Sequence, residues 1–567
     1  MNYLLLEILF LPLIAAFVLL LFKSKPVATI RTIAILFGLV SFGLSCKVVN
    51  DYLPKVEKQR DLLHQKQTFV PYDSIRLELI RFSPSNPEFP ASGALNFYIG
   101  IDGLNVFLIP LASGLFLAAI FAAWNSITVN AAIFYTLLAI LHFATLGAFL
   151  SFDIIQFYTF FEFTLVPLLF LIALWGGANR LYAARKIFIY TLAGGLFTLL
   201  GIITLVSAMH QESVITNHEK PITFSIPELV TASSQTSEIV QKAVPETDGK
   251  YLRDWNSVQK WIFMFLMIGF AVKVPVVPVN TWQPTGYFEA PTSVTLIMSG
   301  ILAKLGVFGF IRICLPILPN ASSEFGAMLF IALGVVGVLY GAACAIAQDD
   351  IRKMLAYSSL SHLGFCMVGA FSLNETGLSG AMVQMINHGI NIGIMFFLCE
   401  GLLQRYGTTR FKDLQGLGSR IKMFSGFMVF FVMCSVGLPG LNGFVGELLC
   451  VLGLFDARTT LFSGKVLAGF VSLGMVLGAW YFLGMLMKVF FQGLEEPVFK
   501  KQENTSDITT LEKILVIPTA LLCLYLGVFP QGLIDTIRPE THLISKVIAK
   551  SNQHLPKWAV DSGNKTR

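Results

Sequence analysis

The sequence predicts an all-α polytopic membrane protein with about 14 transmembrane helices. Only 13% of its 567 residues are charged, whereas a soluble protein carries about 25%. Hydrophobic residues make up 55% of the chain, and they are concentrated in long stretches separated by polar segments. A hydrocarbon core of about 30 Å requires roughly 20 apolar residues per helix, and these stretches have about that length or more.

Fourteen apolar spans can be placed along the chain. The first has no positively charged residue before it and contains Glu7, so it is expected to be a retained helix and not a cleaved signal peptide. The spans are numbered here in chain order and lie near residues 2–22, 29–49, 103–124, 129–150, 153–176, 187–208, 260–280, 291–314, 324–347, 351–371, 378–402, 424–455, 464–492 and 511–529.

Proline interrupts two of these spans. Span seven contains Pro275 and Pro278, and span twelve contains Pro439 among the glycines Gly437, Gly440 and Gly443. A proline in the membrane removes a backbone hydrogen bond, which is tolerated where protein or water satisfies the freed groups. The breaks fall in the fourth helix of spans four to eight and in the fourth of spans nine to thirteen. This pattern is typical of two inverted five-helix repeats around an ion path, with two ordinary proline kinks as the alternative.

The predicted organisation has four parts. An N-terminal part contains spans one to three and a long polar loop, and two repeats with broken helices seven and twelve follow it. The last part contains span fourteen and a polar C-terminal tail. The boundaries are 1–128 with outer loop 50–97, 129–314 with outer loop 209–258, 324–492, and 493–567.

Basic residues in the short loops predict the orientation. They follow spans one, five, eleven and thirteen and open span ten, so all lie on one side, which is cytoplasmic by the positive-inside rule. Both termini and both long loops then lie on the outer, periplasmic side of the inner membrane of a bacterium. The basic residues are Lys23, Lys25, Arg31, Arg180, Arg185, Lys186, Arg352, Lys353, Arg405, Arg410, Lys412, Arg420, Lys422, Lys500 and Lys501.

Ionisable residues lie inside six of the apolar spans. A charged side chain in the membrane costs at least about 2.5–3.5 kcal/mol, so such residues are usually functional. One of them could be an accident of packing, but six in six different spans indicate a route for ions or protons. The residues are Glu162, Lys273, Lys304, His362, His388 and Glu447.

The first three of these residues suggest proton exchange. Lys273 is the natural cation for Glu162, and such a pair can exchange a proton when its separation changes. A static ion pair between two helices is the alternative. Lys304 follows a stripe of hydroxyls on one helix face that can order water or simply pack: Thr292, Thr295 and Ser299.

The two histidines suggest a relay. His362 follows Ser358 by one helical turn, and His388 belongs to a polar seam with Gln384 and Asn391. Histidine is the side chain best suited to relay protons near neutral pH, although a single buried histidine is more often a core residue. His142, alone among apolar residues, is read as such a core residue. Glu447 follows the break in span twelve and is read as the end of a channel, with a capping role as the alternative.

No cofactor or metal site is predicted in this chain. Its eight cysteines are scattered and form no Cys-x-x-Cys pair, which argues against an iron–sulfur cluster or a zinc site. There is no Gly-x-Gly-x-x-Gly fingerprint and no phosphate loop. The net charge of +6 falls mostly in loops, so it does not imply nucleic acid as a partner, and the apolar spans predict a lipid bilayer.

Several motifs together resemble a known family, the antiporter-like membrane subunits of respiratory complex I. The resemblance runs from Asn96 to about Phe491 and is closest to the chain M type, called subunit 4 in mitochondria. Related L and N chains usually place a lysine where this chain has Glu447. The motifs are Gly100-Ile-Asp-Gly-Leu-Asn, Glu162-Phe-Thr-Leu-Val-Pro, Ala271-Val-Lys-Val-Pro-Val-Val-Pro, Leu355-Ala-Tyr-Ser-Ser-Leu-Ser-His-Leu-Gly and Gly437-Leu-Pro-Gly-Leu-Asn-Gly-Phe-Val-Gly-Glu.

The resemblance implies a subunit that moves protons for an NADH:quinone oxidoreductase. NADH, FMN, iron–sulfur clusters and quinone would be held by partner subunits, and the neighbours in the membrane would be L-, N- and quinone-site-type chains. The family's proton-carrying residues map onto Glu162, Lys273, Lys304, His362, His388 and Glu447.

One segment departs from the family pattern. The family usually reads Pro-Leu-His-x-Trp-Leu-Pro-x-Ala-His after the break in helix seven. Here Asn280 and Tyr287 replace the two histidines, and Gln283 replaces the second leucine. The local route near Lys273 and Lys304 then either uses water and Tyr287 or has altered coupling.

Three other functions are compatible with parts of the sequence. The nearest is the D-type subunit of a multisubunit Na⁺/H⁺ antiporter, or the equivalent chain of a membrane-bound hydrogenase. A haem protein with His362 and His388 as axial ligands is a second. A structural scaffold with an inactive channel is a third, and the departure at Asn280–Tyr287 is its main support.

Overall fold

The predicted polytopic helical fold is confirmed. The computed structural model describes residues 2–58, 69–82, 93–215, 222–243, 250–457, 463–492 and 507–552. Within these residues, 12 helices are long and apolar enough to cross a membrane, and they correspond to spans one to six, eight to eleven, thirteen and fourteen. They are Tyr3–Leu21, Val27–Lys55, Leu108–Ser126, Ala131–Leu150, Ile154–Trp175, Arg180–His210, Thr292–Ile317, Pro319–Ile346, Ile351–Phe371, Glu375–Tyr406, Gly464–Phe491 and Thr510–Val528.

Spans seven and twelve are interrupted, as the prolines predict. The first helix of span seven is Lys250–Lys273. The next helix, Trp282–Glu289, begins just beyond the predicted end of the span at residue 280. Span twelve consists of Lys422–Val436 and Asn442–Phe455. Because neither is one continuous membrane-length helix, the exact number of 14 crossings stays a prediction.

Side chains bond to the backbone at both breaks. The Trp282 indole donates to the carbonyl of Val272, which the end of the first helix leaves free, at 2.9 Å, and the Asn387 amide donates to the carbonyl of Asn442, at the start of the second helix of span twelve, at 2.6 Å. Gly437 and Gly440 make the turn in span twelve with φ of +78° and +90°, where a side chain would be strained. The breaks are therefore stable parts of the fold, as expected where protein replaces the missing backbone bonds.

Spans five and eight also deviate from a regular helix. Span five divides at Thr164 into Ile154–Phe163 and Leu165–Trp175, three residues before Pro167, which cannot donate a backbone hydrogen bond. Span eight contains two wide π-helical turns, which are frequent at functional sites. Its segments are Thr292–Ile297, Met298–Leu302, Ala303–Gly309, Phe310–Cys314 and Leu315–Ile317, with the second and fourth π-helical.

In each predicted repeat the third span packs against one helix of the broken fourth span, the first helix of span seven and the second helix of span twelve. The helix Arg180–Ile215 packs against Lys250–Lys273, and Glu375–Tyr406 packs against Asn442–Phe455. In each pair glycine allows close contact: a Cβ on Gly194 would lie 3.3 Å from the Cα of Gly269, and a Cβ on Gly453 would lie 2.3 Å from the Cα of Gly377. Small residues let membrane helices approach closely because no side chain separates the backbones.

The long polar loops contain ordered structure that the sequence analysis did not assign. Strand Asp73–Phe82 pairs antiparallel with Gly93–Ile101, and Ile222–Thr223 adds a short parallel strand. Alternating apolar and charged residues in Asp73–Phe82 are a strand signal. The helix Ile226–Ala243 follows the third strand. The remaining parts of loops 50–97 and 209–258 lie outside the described residues.

The predicted polar tail is in part an amphipathic helix, Gln531–Asn552. Its apolar residues recur at helical spacing on one buried face: Leu533, Ile537, Ile544 and Ile548. This face packs against span eleven, where the hydroxyls of Ser379 and Thr541 are 2.8 Å apart. Lys500, Lys501 and residues 553–567 lie outside the described part of the chain.

A buried ion pair joins the start of span three to span eight. The Arg312 guanidinium donates to both carboxylate oxygens of Asp102, with Nη2 at 2.7 Å from Oδ1. Both side chains are at most 3% exposed. The guanidinium also lies over the rings of Phe152 and Phe308, at 4.6 and 5.1 Å from their centroids.

We expect Arg312→Leu to destabilise the protein strongly. Loss of one partner leaves a buried carboxylate uncompensated, which costs about 3–5 kcal/mol. The thermal inactivation of the detergent-solubilised protein measures this effect. Arg538→Leu is the control, since its pair with Glu375 is half-exposed and is worth about 0–1 kcal/mol. Equal stability of the two variants would contradict the prediction.

Candidate functional site

Lys273 is buried at the end of the first helix of span seven. Its ammonium donates to the hydroxyl of Thr164 at 2.9 Å and to the carbonyl of Phe161 at 3.3 Å. It also lies 4.6 Å from the centroid of the Phe161 ring. A cation at a helix C-terminus is stabilised by the helix dipole. Uncharged groups and dipoles therefore hold this ammonium.

Glu162 lies beside this cluster without joining it. Its carboxylate carbon would be 2.3 Å from a Cβ on Gly195, so the side chain occupies space that a glycine in span six provides. None of the ion pairs among the described residues joins Glu162 to Lys273. The predicted exchange of a proton therefore requires a change in their separation.

Lys304 is fully buried in span eight, directly after the π-helical turn Met298–Leu302. Its ammonium donates to the carbonyl of Ser299. Among the residues of the predicted hydroxyl stripe, Ser299 contacts Lys304 through its carbonyl. The hydroxyl of Thr295 instead donates to the carbonyl of Tyr287 at 2.9 Å. Ser299 is therefore the member of the stripe that belongs to the site.

A polar path continues from Ser299 to the two histidines. The Ser299 hydroxyl donates to Ser359 Oγ at 3.3 Å, and Ser359 Oγ lies 3.2 Å from His388 Nε2. The rings of His388 and His362 stack with centroids 4.9 Å apart. Ser358, which the sequence analysis placed beside His362, instead accepts a hydrogen bond from Tyr481 at 2.9 Å.

The path ends at Glu447 in the second half of span twelve. His362 Nδ1 lies 2.9 Å from Glu447 Oε1, an ion-pair distance. Gln384 Nε2 lies 3.5 Å from the same oxygen. A Cβ on Gly437 would be 2.9 Å from Glu447 Oε2, so the carboxylate faces the helix break. Lys304, His388, His362 and Glu447 thus lie in one buried row, which is held by hydrogen bonds at Ser299 and Ser359, by stacking of the two histidine rings and by an ion pair at Glu447.

The structure also identifies contacts that the sequence analysis missed. Thr164 and the Phe161 carbonyl hold Lys273, and Ser359 joins Ser299 to His388. The position of Thr164, two residues after Glu162 and three before Pro167, was the available signal. His142 contacts Ser113 at 3.3 Å and stacks on Phe116, which agrees with a core role.

The segment that departs from the family pattern lies between the two lysine sites. Gln283 donates to the carbonyl of Ala356 at 3.3 Å, and the Tyr287 hydroxyl donates to the carbonyl of Met298 at 3.1 Å.

Among the described residues, no group of three or more histidines, cysteines or carboxylates is placed to hold a metal ion.

Comparison with known proteins identifies the family of this chain. The family described as "NADH:quinone oxidoreductase/Mrp antiporter, TM" matches residues 151–478, which include the whole path from Glu162 to Glu447. The chain belongs to this family. The predicted resemblance to the antiporter-like membrane subunits of complex I is thereby confirmed.

Relatives of the chain carry names from the same family. NADH-quinone oxidoreductase subunit M of Rickettsia bellii (strain RML369-C) is 35% identical over 467 residues, which cover 81% of this chain and 86% of that protein. The subunit M of Rhodobacter capsulatus is 31% identical over 502 residues and covers 87% of this chain and 91% of that protein. Chain 4 of the NADH-ubiquinone oxidoreductase of Chondrus crispus is 34% identical, with 78% and 82% covered.

Solved structures share the fold. A chain of respiratory complex I from Thermus thermophilus matches with a TM-score of 0.74 and 23% identity, covering 96% of this chain and 99% of that chain. A chain of the Mrp complex from Dietzia sp. DQ12-45-1b matches with a TM-score of 0.73 and 16% identity, covering 97% and 100%. The antiporter-like fold therefore spans nearly the whole length of the protein.

Proposed function

We propose that this chain is the M-type proton-translocating membrane subunit of an NADH:quinone oxidoreductase. The observation that supports this function best is the buried path from Lys304 through Ser299, Ser359, His388 and His362 to Glu447. Hydroxyls, imidazoles and a carboxylate in sequence can each take up one proton as they pass one on. Its relatives named subunit M support the assignment.

In the proposed mechanism the Glu162–Lys273 cluster controls the path. A change at the quinone module would alter the separation of Glu162 from Lys273 and so change the charge that Lys304 experiences. Release of a proton by Lys304, whose ammonium is anchored at the Ser299 carbonyl, would then start transfer along the hydroxyls and histidines, and Glu447 would release one to the outer side. Moving one charge against 100 mV costs about 2.3 kcal/mol, which electrostatic changes between buried groups can supply.

The partners and location belong to the same proposal. Other membrane subunits of the L-, N- and quinone-site types would flank this chain in the inner membrane of a bacterium. NADH, FMN, iron–sulfur clusters and quinone would be bound by partner subunits. Both termini would lie on the periplasmic side, as the basic loops predict, and residues 129–314 and 324–492 would form the two repeats.

The D-type subunit of a Na⁺/H⁺ antiporter remains the second candidate. The structural match to a chain of the Mrp complex is the observation that favours it, at 16% identity. The two candidates differ in what drives transport. The first predicts acidification of sealed vesicles on addition of NADH without added Na⁺, and the second predicts a pH change on addition of Na⁺ without NADH.

Ser359→Ala tests the proposed path directly. It removes the hydroxyl between Ser299 and His388, and we expect NADH-driven proton transport in sealed vesicles to fall about threefold to tenfold, the effect of one hydrogen bond. Ser358→Ala is the matched control, because the neighbouring hydroxyl contacts Tyr481 instead. Equal transport by the two variants would contradict the proposed path.

A further inference from the structure

Gly195 in span six leaves room for the carboxylate of Glu162. A Cβ on Gly195 would lie closer than 3.0 Å to all three carboxylate atoms, a distance that real Cβ atoms essentially never show. Any residue with a side chain at this position would therefore displace the carboxylate. We call the location against the backbone of Gly195 the separated position of Glu162, because no ion pair among the described residues joins the glutamate to Lys273 there.

Close helix packing sets the separated position relative to Lys273. Span six packs along the helix Lys250–Lys273. A Cβ on Gly194 would lie 3.1 Å from the Cβ of Val272, the residue before Lys273, and 3.3 Å from the Cα of Gly269. Because small residues bring the two backbones together, the glycine that faces Glu162 and the helix that ends at Lys273 are held side by side.

The ammonium of Lys273 can bind Glu162 without giving up its present contacts. An ammonium has three hydrogen-bond donors. Within the described part of the chain two of them are used, by the hydroxyl of Thr164 and the carbonyl of Phe161. This carbonyl belongs to the peptide group that joins Phe161 to Glu162, so the third donor lies near the start of the glutamate side chain. A carboxylate on that donor forms an ion pair with Lys273, which we call the paired position.

We infer that Gly195 is a positioning residue that provides the separated position of Glu162. The glutamate side chain alternates between Gly195 and the third donor of Lys273, and this movement is the change in separation that the proposed function requires. Among the described residues no hydrogen bond holds the carboxylate at Gly195, so the movement breaks none. The movement transfers no proton and changes no covalent bond. The inference rests on the proposed function.

The variant Gly195→Ala tests the inference in the assembled complex. Its methyl group fills the separated position, and the flexible glutamate can move away while the helix stays intact, since alanine favours a helix more than glycine does. We expect NADH-driven proton transport in sealed vesicles to fall about tenfold, because the separated position becomes the minor one of two. Wild-type transport by the assembled variant would overturn the inference.

Gly194→Ala is the matched control for helix packing. It adds the same methyl group one residue earlier, against Val272 and Gly269 and away from Glu162. We expect it to transport at the wild-type rate for each assembled complex. An equal loss in Gly194→Ala and Gly195→Ala would mean that helix packing explains the effect, and this result would overturn the inference.

Shortening the glutamate separates a positioning role from a structural one. In the double variant Glu162→Asp with Gly195→Ala, the added methyl group replaces the methylene that the side chain loses. We expect the double variant to recover transport relative to Gly195→Ala alone, because two residues in contact are coupled. No recovery would overturn the inference.

The same pair of variants decides the case in which Gly195→Ala does not assemble. Recovery of assembly in the double variant would support the inference, whereas failure of both variants to assemble would overturn it. The proposed function fails separately, if neither Ser359→Ala nor Lys304→Met lowers transport by an assembled complex.

Discussion

Lys304→Met is expected to lower NADH-driven proton transport at least about tenfold, a rise of about 1.4 kcal/mol in the barrier. Methionine fills a similar volume but cannot carry a proton. Lys304 is fully buried, and its ammonium is anchored at Ser299, where the path to His388 begins. The substitution therefore removes the charge that starts the transfer and leaves the rest of the path in place. Acidification of sealed vesicles per NADH oxidised measures the effect.

A lysine at the edge of the membrane gives the control for this experiment. Lys488 is exposed in the last turn of span thirteen and lies over the ring of Phe411. We expect Lys488→Met to assemble and to transport protons at the wild-type rate. If both variants transport at that rate, the channel of this chain is inactive and the scaffold function is favoured.

Lys273→Ala is expected to have a similarly large effect, with at least about a tenfold loss of transport. The substitution removes the ammonium that the Phe161 carbonyl and the Thr164 hydroxyl hold. In the proposed mechanism, the loss of that charge would prevent a change at the quinone module from reaching Lys304. The same vesicle assay measures the loss, and the amount of assembled complex is determined in parallel.

Thr164→Val tests whether transport depends on the position of the Lys273 ammonium as well as on its charge. It removes the hydroxyl at 2.9 Å but keeps the ammonium and nearly the same side-chain volume. We expect a loss of about threefold to tenfold, smaller than that of Lys273→Ala, since one hydrogen bond is lost and not a charge. A larger loss in Thr164→Val than in Lys273→Ala would contradict this role of the lysine.

Much of the fold was predictable because a membrane restricts what a helix can contain. Only long apolar segments cross the hydrocarbon core, so composition and length located the spans. Pro275, Pro278 and Pro439 marked the breaks, since proline cannot complete the backbone hydrogen bonds. The strand Asp73–Phe82 and the helix Gln531–Asn552 were missed, although both carry periodic patterns, because polar segments were treated as loops.

The candidate site was only partly predictable. Helical periodicity places Ser358 and His362 on one face, and it turns Ser359 about 100° away from Ser358. Periodicity does not say which neighbouring helix each face meets. In the folded chain Ser358 faces Tyr481, and Ser359 faces Ser299 and His388.

The sequence by itself determined the class of protein, the two helix breaks and the six ionisable residues in the membrane. Each of these follows from one segment at a time, because burial in lipid is costly for every charge and every unpaired backbone group. The tertiary structure decided which of these residues touch. Lys273 meets Thr164 across 109 positions of the chain, and Ser299 meets Ser359 across 60. Such contacts depend on how one helix is rotated and packed against another, and no local pattern encodes that rotation.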